Sequence, residues 1–120
     1  MHNSVITLSK TQWGEVLEKM SVMERSDIYM FILRSMANSQ QVSYYSIHAF
    51  NGELTTEQDH EGHTSNVYIG QITKVIQNII GDEEMNADNS SWYIWHTTDK
   101  AWVLSWKNLT ELRKAFEEMN

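Results

Sequence analysis

The chain has 120 residues, 41% of them hydrophobic, with five tryptophans, no cysteine and a formal net charge of −7. This length predicts one domain over residues 1–120, and the lack of cysteine excludes disulfide scaffolds, thiolate metal sites and thiol nucleophiles. No signal-peptide pattern and no apolar run of ~18 residues occurs, so we expect a cytoplasmic protein that does not enter a membrane.

Two capping boxes predict a pair of helices near the N-terminus. Ser9 and Gln12 have the spacing of a capping box and precede an apolar stripe. Residues 21–24, Ser-Val-Met-Glu, form a second box that would open a longer helix through Met36. Upstream, residues 4–8 alternate weakly between apolar and polar side chains, which is typical of an edge strand.

The stretch VSYYSIHAFNGELTTEQ, residues 42–58, predicts a β-hairpin. Asn51-Gly52 suits a two-residue type I′ turn, because both turn positions need a positive φ. Pairing Phe50 with Glu53 then gives the hairpin one apolar face and one polar face. The side chains on the polar face are Ser46, His48, Glu53, Thr55 and Glu57.

Residues 67–80 place six isoleucine and valine side chains on one helical stripe, and Gly81 follows as a natural residue after a helix end. The many β-branched side chains keep a strand open as the alternative, because such residues pack well in sheets. The spacing favours the helix.

Residues 90–106, SSWYIWHTTDKAWVLSW, predict a second hairpin that turns near Thr98-Asp99 and sets Trp95 opposite Trp102. One face carries Tyr93, Trp95, Trp102, Leu104 and Trp106, and the opposite side carries Trp92, Ile94, His96, Ala101 and Val103. Both sides are therefore largely apolar. Either helices of the same chain cover both, or a second copy, a peptide or a ligand contacts one of them.

Asn108 and Glu111 have the spacing of a third capping box, which predicts a final helix. The fold class that follows is α+β, with an antiparallel sheet of four to five strands packed with helices. The predicted order of elements is (β)-αα-ββ-α-ββ-α.

The charge distribution bears on the choice of partner. Residues 42–91 carry eight acidic side chains against one basic side chain, Lys74, whereas both flanks are balanced. An acidic stretch is usually a solvated surface, and the alternative is a surface for a partner protein with basic side chains. A phosphate backbone needs clustered lysine and arginine, so we do not expect nucleic acid as a partner. The predicted partner-binding residues are Tyr93, Trp95, Trp102, Trp106, Asp82, Glu83 and Glu84.

Two rival functions rest on other residues. A small hydrolase would use Ser46, His48 and Glu57 as nucleophile, base and carboxylate, or a metal held by His60 and His63. A DNA-binding regulator would use the basic residues of the N-terminal helices, which are Lys10, Lys19, Arg25 and Arg34. The sequence favours neither, so we expect no enzymatic activity, no metal and no cofactor.

The order of elements resembles that of type III secretion chaperones and of small immunity and inhibitor proteins. The resemblance covers the order of elements only and includes no shared motif. It implies a non-enzymatic protein-binding module, which we expect to form a homodimer.

Overall fold

A computed structural model describes residues 5–52, 63–81 and 91–119. The elements in chain order are α1 (Lys10–Ser21), α2 (Ser26–Ser39), β1 (Gln41–Ser43), α3 (Tyr44–Phe50), α4 (His63–Ile80), β2 (Ile94–His96), β3 (Ala101–Val103) and α5 (Trp106–Met119). The α+β class is confirmed. The number of strands differs from the prediction of four to five, because the described residues form a three-stranded sheet. None of the helices in these residues has the length and apolar character that a membrane span requires.

The sheet is antiparallel, and β3 lies between β1 and β2. Trp102 in β3 pairs with Val42 on one side and with Trp95 on the other. The predicted register of the second hairpin, with Trp95 opposite Trp102, is therefore confirmed. Among the described residues β2 pairs with β3 alone, so it is an edge strand of this sheet.

The prediction of a first hairpin is wrong, because Tyr44–Phe50 forms helix α3. The Ser43 side chain caps this helix, accepting a hydrogen bond from the backbone N–H of Ser46 at 3.1 Å. The buried side chains of α3 follow a helical spacing and are Tyr44, Ile47 and His48. The same segment alternates in polarity, so its sequence carried both patterns and packing selected the helix. The second half of the predicted hairpin, from residue 53, lies outside the described residues.

Two of the predicted helix ends are confirmed. Ser9 accepts a hydrogen bond from the backbone N–H of Gln12, and the Gln12 side chain accepts one in return, which is a complete capping box. At the end of α4, Gly81 has a φ of 96°, which side chains other than glycine rarely adopt. Helix α4 begins at His63, four residues before the predicted start at 67.

The prediction of a second capping box is wrong, because the Ser21 hydroxyl donates to the carbonyl of Glu18 instead of capping a helix. Helix α2 begins only at Ser26, after Arg25 in a left-handed conformation with a φ of 67°. Side-chain contacts hold Arg25 in this position. Its guanidinium donates to the side-chain oxygens of Asp27, Asn51 and Tyr68.

The N-terminal segment, predicted as an edge strand, makes a single bridge to the segment before β2. Val5 forms an isolated parallel bridge with Ser91, and the Ile6 N–H donates to the Ser91 carbonyl at 2.8 Å. This segment ends in Leu8, which is fully buried in the core. The four long helices share one core, because α1, α2, α4 and α5 each contribute buried side chains to it.

The prediction of a third capping box, with Asn108 as the cap, is also wrong. The Ser105 hydroxyl caps α5 and accepts from the backbone N–H of Asn108 at 3.2 Å. Asn108 instead lies in the first turn of α5 and is fully buried. Its Oδ1 accepts from the Leu8 N–H at 2.9 Å and from Trp13 Nε1 at 3.3 Å. Its Nδ2 donates to the carbonyls of Ile6 at 2.8 Å and Trp92 at 3.3 Å. One amide thus ties together the N-terminal segment, α1, α5 and the start of the hairpin.

Ionic contacts join the exposed sides of α1 and α5. Lys10 Nζ lies 2.6 Å from Glu118 Oε2, and the Lys10 backbone N–H donates to Glu111 Oε1 at 3.1 Å. Glu111 Oε2 also accepts from Lys114 Nζ at 3.1 Å. The hydrogen bond from Lys114, followed by the one from the Lys10 backbone, lowers the pKa of Glu111 below its usual range.

The lowered pKa of Glu111 predicts a contribution to acid sensitivity. A carboxyl whose pKa is lower in the folded state stabilises the fold above its unfolded-state pKa, and this stabilisation is lost as pH falls through the folded-state pKa. We therefore compare the Tm at neutral pH with the Tm at a pH below the usual pKa of glutamate. The Tm of Glu111→Gln should fall less between these two pH values than the Tm of wild type does. Calorimetric melts at a series of pH values measure this drop, and equal drops in both proteins would contradict the prediction.

Candidate protein-binding surface

The exposed side of the second hairpin is strand β2. All three of its residues are exposed, including Ile94 at 49% and Trp95 at 39%. The neighbouring strand β3 is different, because Ala101 and Trp102 are buried, at 0% and 1% exposure. We call the edge formed by Tyr93, Ile94 and Trp95 the β2 surface; Tyr93 and Trp95 lie on one face of the ribbon and Ile94 on the other. The chain covers its central strand and leaves large apolar side chains of its edge strand in contact with solvent.

The five tryptophans divide into two groups. Trp13, Trp92 and Trp102 are buried in the core, with exposures of 1% or less. The rings of Trp13 and Trp92 meet edge to face at 6.0 Å, and Trp92 Nε1 donates to Thr73 Oγ1 at 2.9 Å. These three rings are the inside of the protein. Trp95 and the more exposed Trp106 are the two that contact solvent.

A groove lies beside the β2 surface, between the hairpin and the start of α4. Its volume is about 400 Å³, and it is lined by Asn66, Tyr93, Trp95, Thr97, Lys100 and Trp102. The rings of Trp95 and Trp102 lie 5.0 Å apart at an angle of 58°, so the buried ring supports the exposed one. A wall of aromatic rings with amide, hydroxyl and ammonium groups at its rim is suited to an apolar anchor side chain with a polar backbone.

The turn of the hairpin is held by its own contacts. The His96 Nδ1 accepts from the backbone N–H of Asp99 at 3.2 Å and lies 3.4 Å from the Asp99 carboxylate. Lys100 has a φ of 53°, and its carbonyl accepts from the Tyr44 N–H at 3.0 Å. These contacts join the turn to α3, so the β2 surface is presented on an ordered ribbon.

The other predicted partner-binding residues lie elsewhere or outside the described residues. Trp106 is 68% exposed but begins α5, so the strand alternation that aligned it with Trp95 ends before it. It lines a separate groove of about 480 Å³ together with Thr7, Leu8, Ser9, Gln12, Lys107, Thr110 and Glu111. Asp82, Glu83 and Glu84 lie outside the described residues.

Sequence reasoning missed three residues of the groove, which are Asn66, Thr97 and Lys100. Thr97 and Lys100 were detectable in principle, because they flank the predicted turn. No signal in the sequence pointed to Asn66, since only the packing of α4 brings it next to the hairpin.

The structure does not bring together the residues of the hydrolase hypothesis. Ser46 and His48 were expected on one strand face, but on helix α3 Ser46 is exposed and His48 is buried. Residues two apart on a helix point in different directions. Glu57 and His60 lie outside the described residues, as does the side chain of His63. Within the described ranges, no group of three or more metal-ligating side chains comes together.

The basic residues of the N-terminal helices make contacts within the fold. Lys10 pairs with Glu118, and Arg25 pairs with Asp27. The guanidinium of Arg34 lies over the ring of Phe116. Lys19 lies in the last turn of α1, where a cation interacts favourably with the helix dipole. Lys10 and Arg25, two of the four, are therefore paired with acidic side chains and are not free positive charges.

Comparison with known proteins adds no assignment to this geometry. No protein-family model, no curated protein and no solved structure matches the chain. The fold and the site define a small α+β protein with an aromatic edge strand.

Proposed function

We propose that this protein is a non-enzymatic protein-binding module whose contact area is the β2 surface. The observation that supports this most is the half-exposure of Ile94 and Trp95 on an edge strand, next to fully buried neighbours. Solvent-exposed aromatic side chains near a groove are typical anchors of protein interfaces, where a few of them supply most of the binding energy. An edge strand also offers backbone groups to an added strand.

Two partners were expected from the sequence, a protein with a basic surface and a second copy in a homodimer, and we propose the basic protein. Each chain carries a net charge of −7, so two copies repel each other, whereas a basic partner is attracted. Three acidic residues, 82–84, precede the hairpin in the sequence. Charge would mainly set the encounter rate and the choice of partner, while the apolar anchors would hold the complex.

Trp95→Ala is expected to weaken partner binding by roughly thirtyfold or more, the effect of an interface hot spot of about 2 kcal/mol. Photo-crosslinking in cells of the native host identifies the partner, with a benzoylphenylalanine at position 97, an exposed residue that lines the groove beside Trp95. Position 22 is the matched control, because Val22 is an exposed apolar residue distant in sequence from the hairpin. The affinity of the purified partner for each variant then measures the effect.

Trp106→Ala tests whether the other exposed tryptophan also takes part in binding, because Trp106 lines a different groove. We expect it to bind the partner as wild type does. Equal crosslinking from positions 97 and 22, or an unchanged affinity of Trp95→Ala, would contradict the proposed function. Sedimentation measurements report whether the crosslinked partner is a second copy.

DNA binding is a second candidate function, favoured by the topology. Elements α2-β1-α3-α4-β2-β3, with β3 between the other strands, have the connectivity of a winged helix-turn-helix. By that analogy α4 would be the recognition helix in the major groove. However, Lys74 is the single basic residue of α4 between residues 65 and 80. A steep loss of DNA affinity with added salt would support this candidate over the first.

A further inference from the structure

A third cavity lies between the end of α2 and the second half of α5. Its volume is about 360 Å³, and it is lined by Arg34, Ala37, Asn38, Arg113, Phe116 and Glu117. It shares no lining residue with the groove at the β2 surface. Two of the three arginines of an acidic chain thus border one cavity.

Arg113 is held in place by the end of α2. Its Nε donates to the carbonyl of Ala37 at 2.6 Å, and its Nη2 lies 3.4 Å from the carbonyl of Asn38. These bonds offset the partial negative charge at the end of that helix. A guanidinium has five N–H donors, so Arg113 keeps donors that these carbonyls do not use.

Arg34 is held differently. Its guanidinium carbon lies 4.8 Å from the centre of the Phe116 ring, which is stacking distance for a cation on an aromatic face. This contact orients the planar group without using its N–H donors. Within the described residues, Arg34 makes no hydrogen bond and no ion pair.

Among the described residues that line this cavity, Glu117 is the one acidic residue. Its carboxylate forms no ion pair with either arginine among the described residues. Among the described residues, no paired carboxylate therefore neutralises the positive charge of the two guanidinium groups. Glu117 still repels an incoming anion through space, and this repulsion provides a second test of the site.

We propose that this cavity binds a compact oxyanion, either a phosphate or a carboxylate group, between Arg34 and Arg113. Guanidinium groups match both anions because their planar N–H pairs donate to two oxygens at once. Because the Arg34 guanidinium is already oriented over the Phe116 ring, less entropy is lost when the anion is bound. This proposal does not depend on the protein-binding function, since it uses other residues.

Titration with inorganic phosphate, at constant ionic strength and with chloride as the reference salt, tests the site directly. Nitrogen-15 spectra of the arginine side chains should show saturable shifts for Arg34 and Arg113 but not for Arg25, which donates to Asp27. A parallel titration with acetate shows whether carboxylates bind as phosphates do. Saturable binding of either anion at these two arginines supports the proposal.

Arg34→Met is the decisive variant, because it retains an apolar stem over Phe116 and removes no hydrogen bond within the described residues. It should weaken phosphate binding roughly tenfold to a hundredfold, the effect of losing a charge-assisted hydrogen bond. Lys107→Met is the matched control on α5 and removes one charge outside this cavity. It should change the affinity less than threefold. Glu117→Gln should tighten binding.

The proposal is overturned if phosphate and acetate both fail to shift the two arginines. It is also overturned if Arg34→Met and Lys107→Met weaken binding equally, because that result indicates diffuse attraction to surface charge. Thermal melts of each variant establish that it is folded. A variant of Arg113 is a poor test, since Arg113 also binds the end of α2.

Discussion

Replacing Asn108 with alanine is expected to lower the free energy of unfolding by roughly 3 to 5 kcal/mol. The substitution removes four side-chain hydrogen bonds from a fully buried position. It leaves the Leu8 N–H, the Trp13 indole N–H and two backbone carbonyls without their partner. Each such buried group costs about 1 to 3 kcal/mol when it is left unsatisfied, although water entering the space recovers part of this cost.

Chemical denaturation measures the loss, and Asn78→Ala is the matched control because Asn78 is exposed on α4. The control should change the free energy of unfolding by no more than about 0.5 kcal/mol. Amide exchange gives a local readout, since the Leu8 N–H should lose its protection in Asn108→Ala. A stability within about 0.5 kcal/mol of wild type would show that this network does not hold the fold together.

Trp102→Ala is expected to lower the free energy of unfolding by about 3 to 5 kcal/mol, as is usual when a buried aromatic ring is removed. Trp102 is 1% exposed and packs between β1 and β2 in the centre of the sheet. Its partner Trp95 is 39% exposed, so Trp95→Ala loses less buried area than Trp102→Ala does. It also loses the contact between the two rings, which adds about 0.5 to 1.5 kcal/mol beyond the area buried.

The two variants therefore separate folding from binding. Trp102→Ala should be strongly destabilised, and Trp95→Ala should remain folded but bind its partner weakly. Urea denaturation of both proteins provides the comparison, with tryptophan fluorescence as the probe. Equal destabilisation by the two substitutions would mean that Trp95 is a core residue, and the β2 surface would then lose its main anchor.

The predictions that the structure confirms rest on local signals of high specificity. The Ser9 capping box, the stripe of isoleucines that ends at Gly81 and the pairing of Trp95 with Trp102 all depend on residues close in sequence. Helix caps satisfy backbone N–H groups that have no other partner, and a short turn sets the register of the strands that it joins. Neighbouring residues are sufficient to specify such features.

The wrong predictions share a different cause. The predicted capping boxes at Ser21 and at Asn108 had the right residue types, but both side chains form hydrogen bonds with other groups. Ser21 donates to the Glu18 carbonyl, and Asn108 accepts from the Leu8 N–H. Residues 44–50 carried an alternating pattern and a helical pattern together. The helix prevailed because it buries Tyr44, Ile47 and His48 on one side. When two local patterns are equally strong, packing against distant parts of the chain selects which secondary structure forms.

The sequence by itself determined the class of the fold, the helices around Trp13 and Ile76, and the ribbon of tryptophans near the C-terminus. Only the tertiary structure decided which of those tryptophans are core and which contact solvent. The physical reason is that burial depends on what lies above each side chain. Helices from distant parts of the chain cover the central strand β3, while β2 lies at the edge, where the described helices leave Ile94 and Trp95 half exposed.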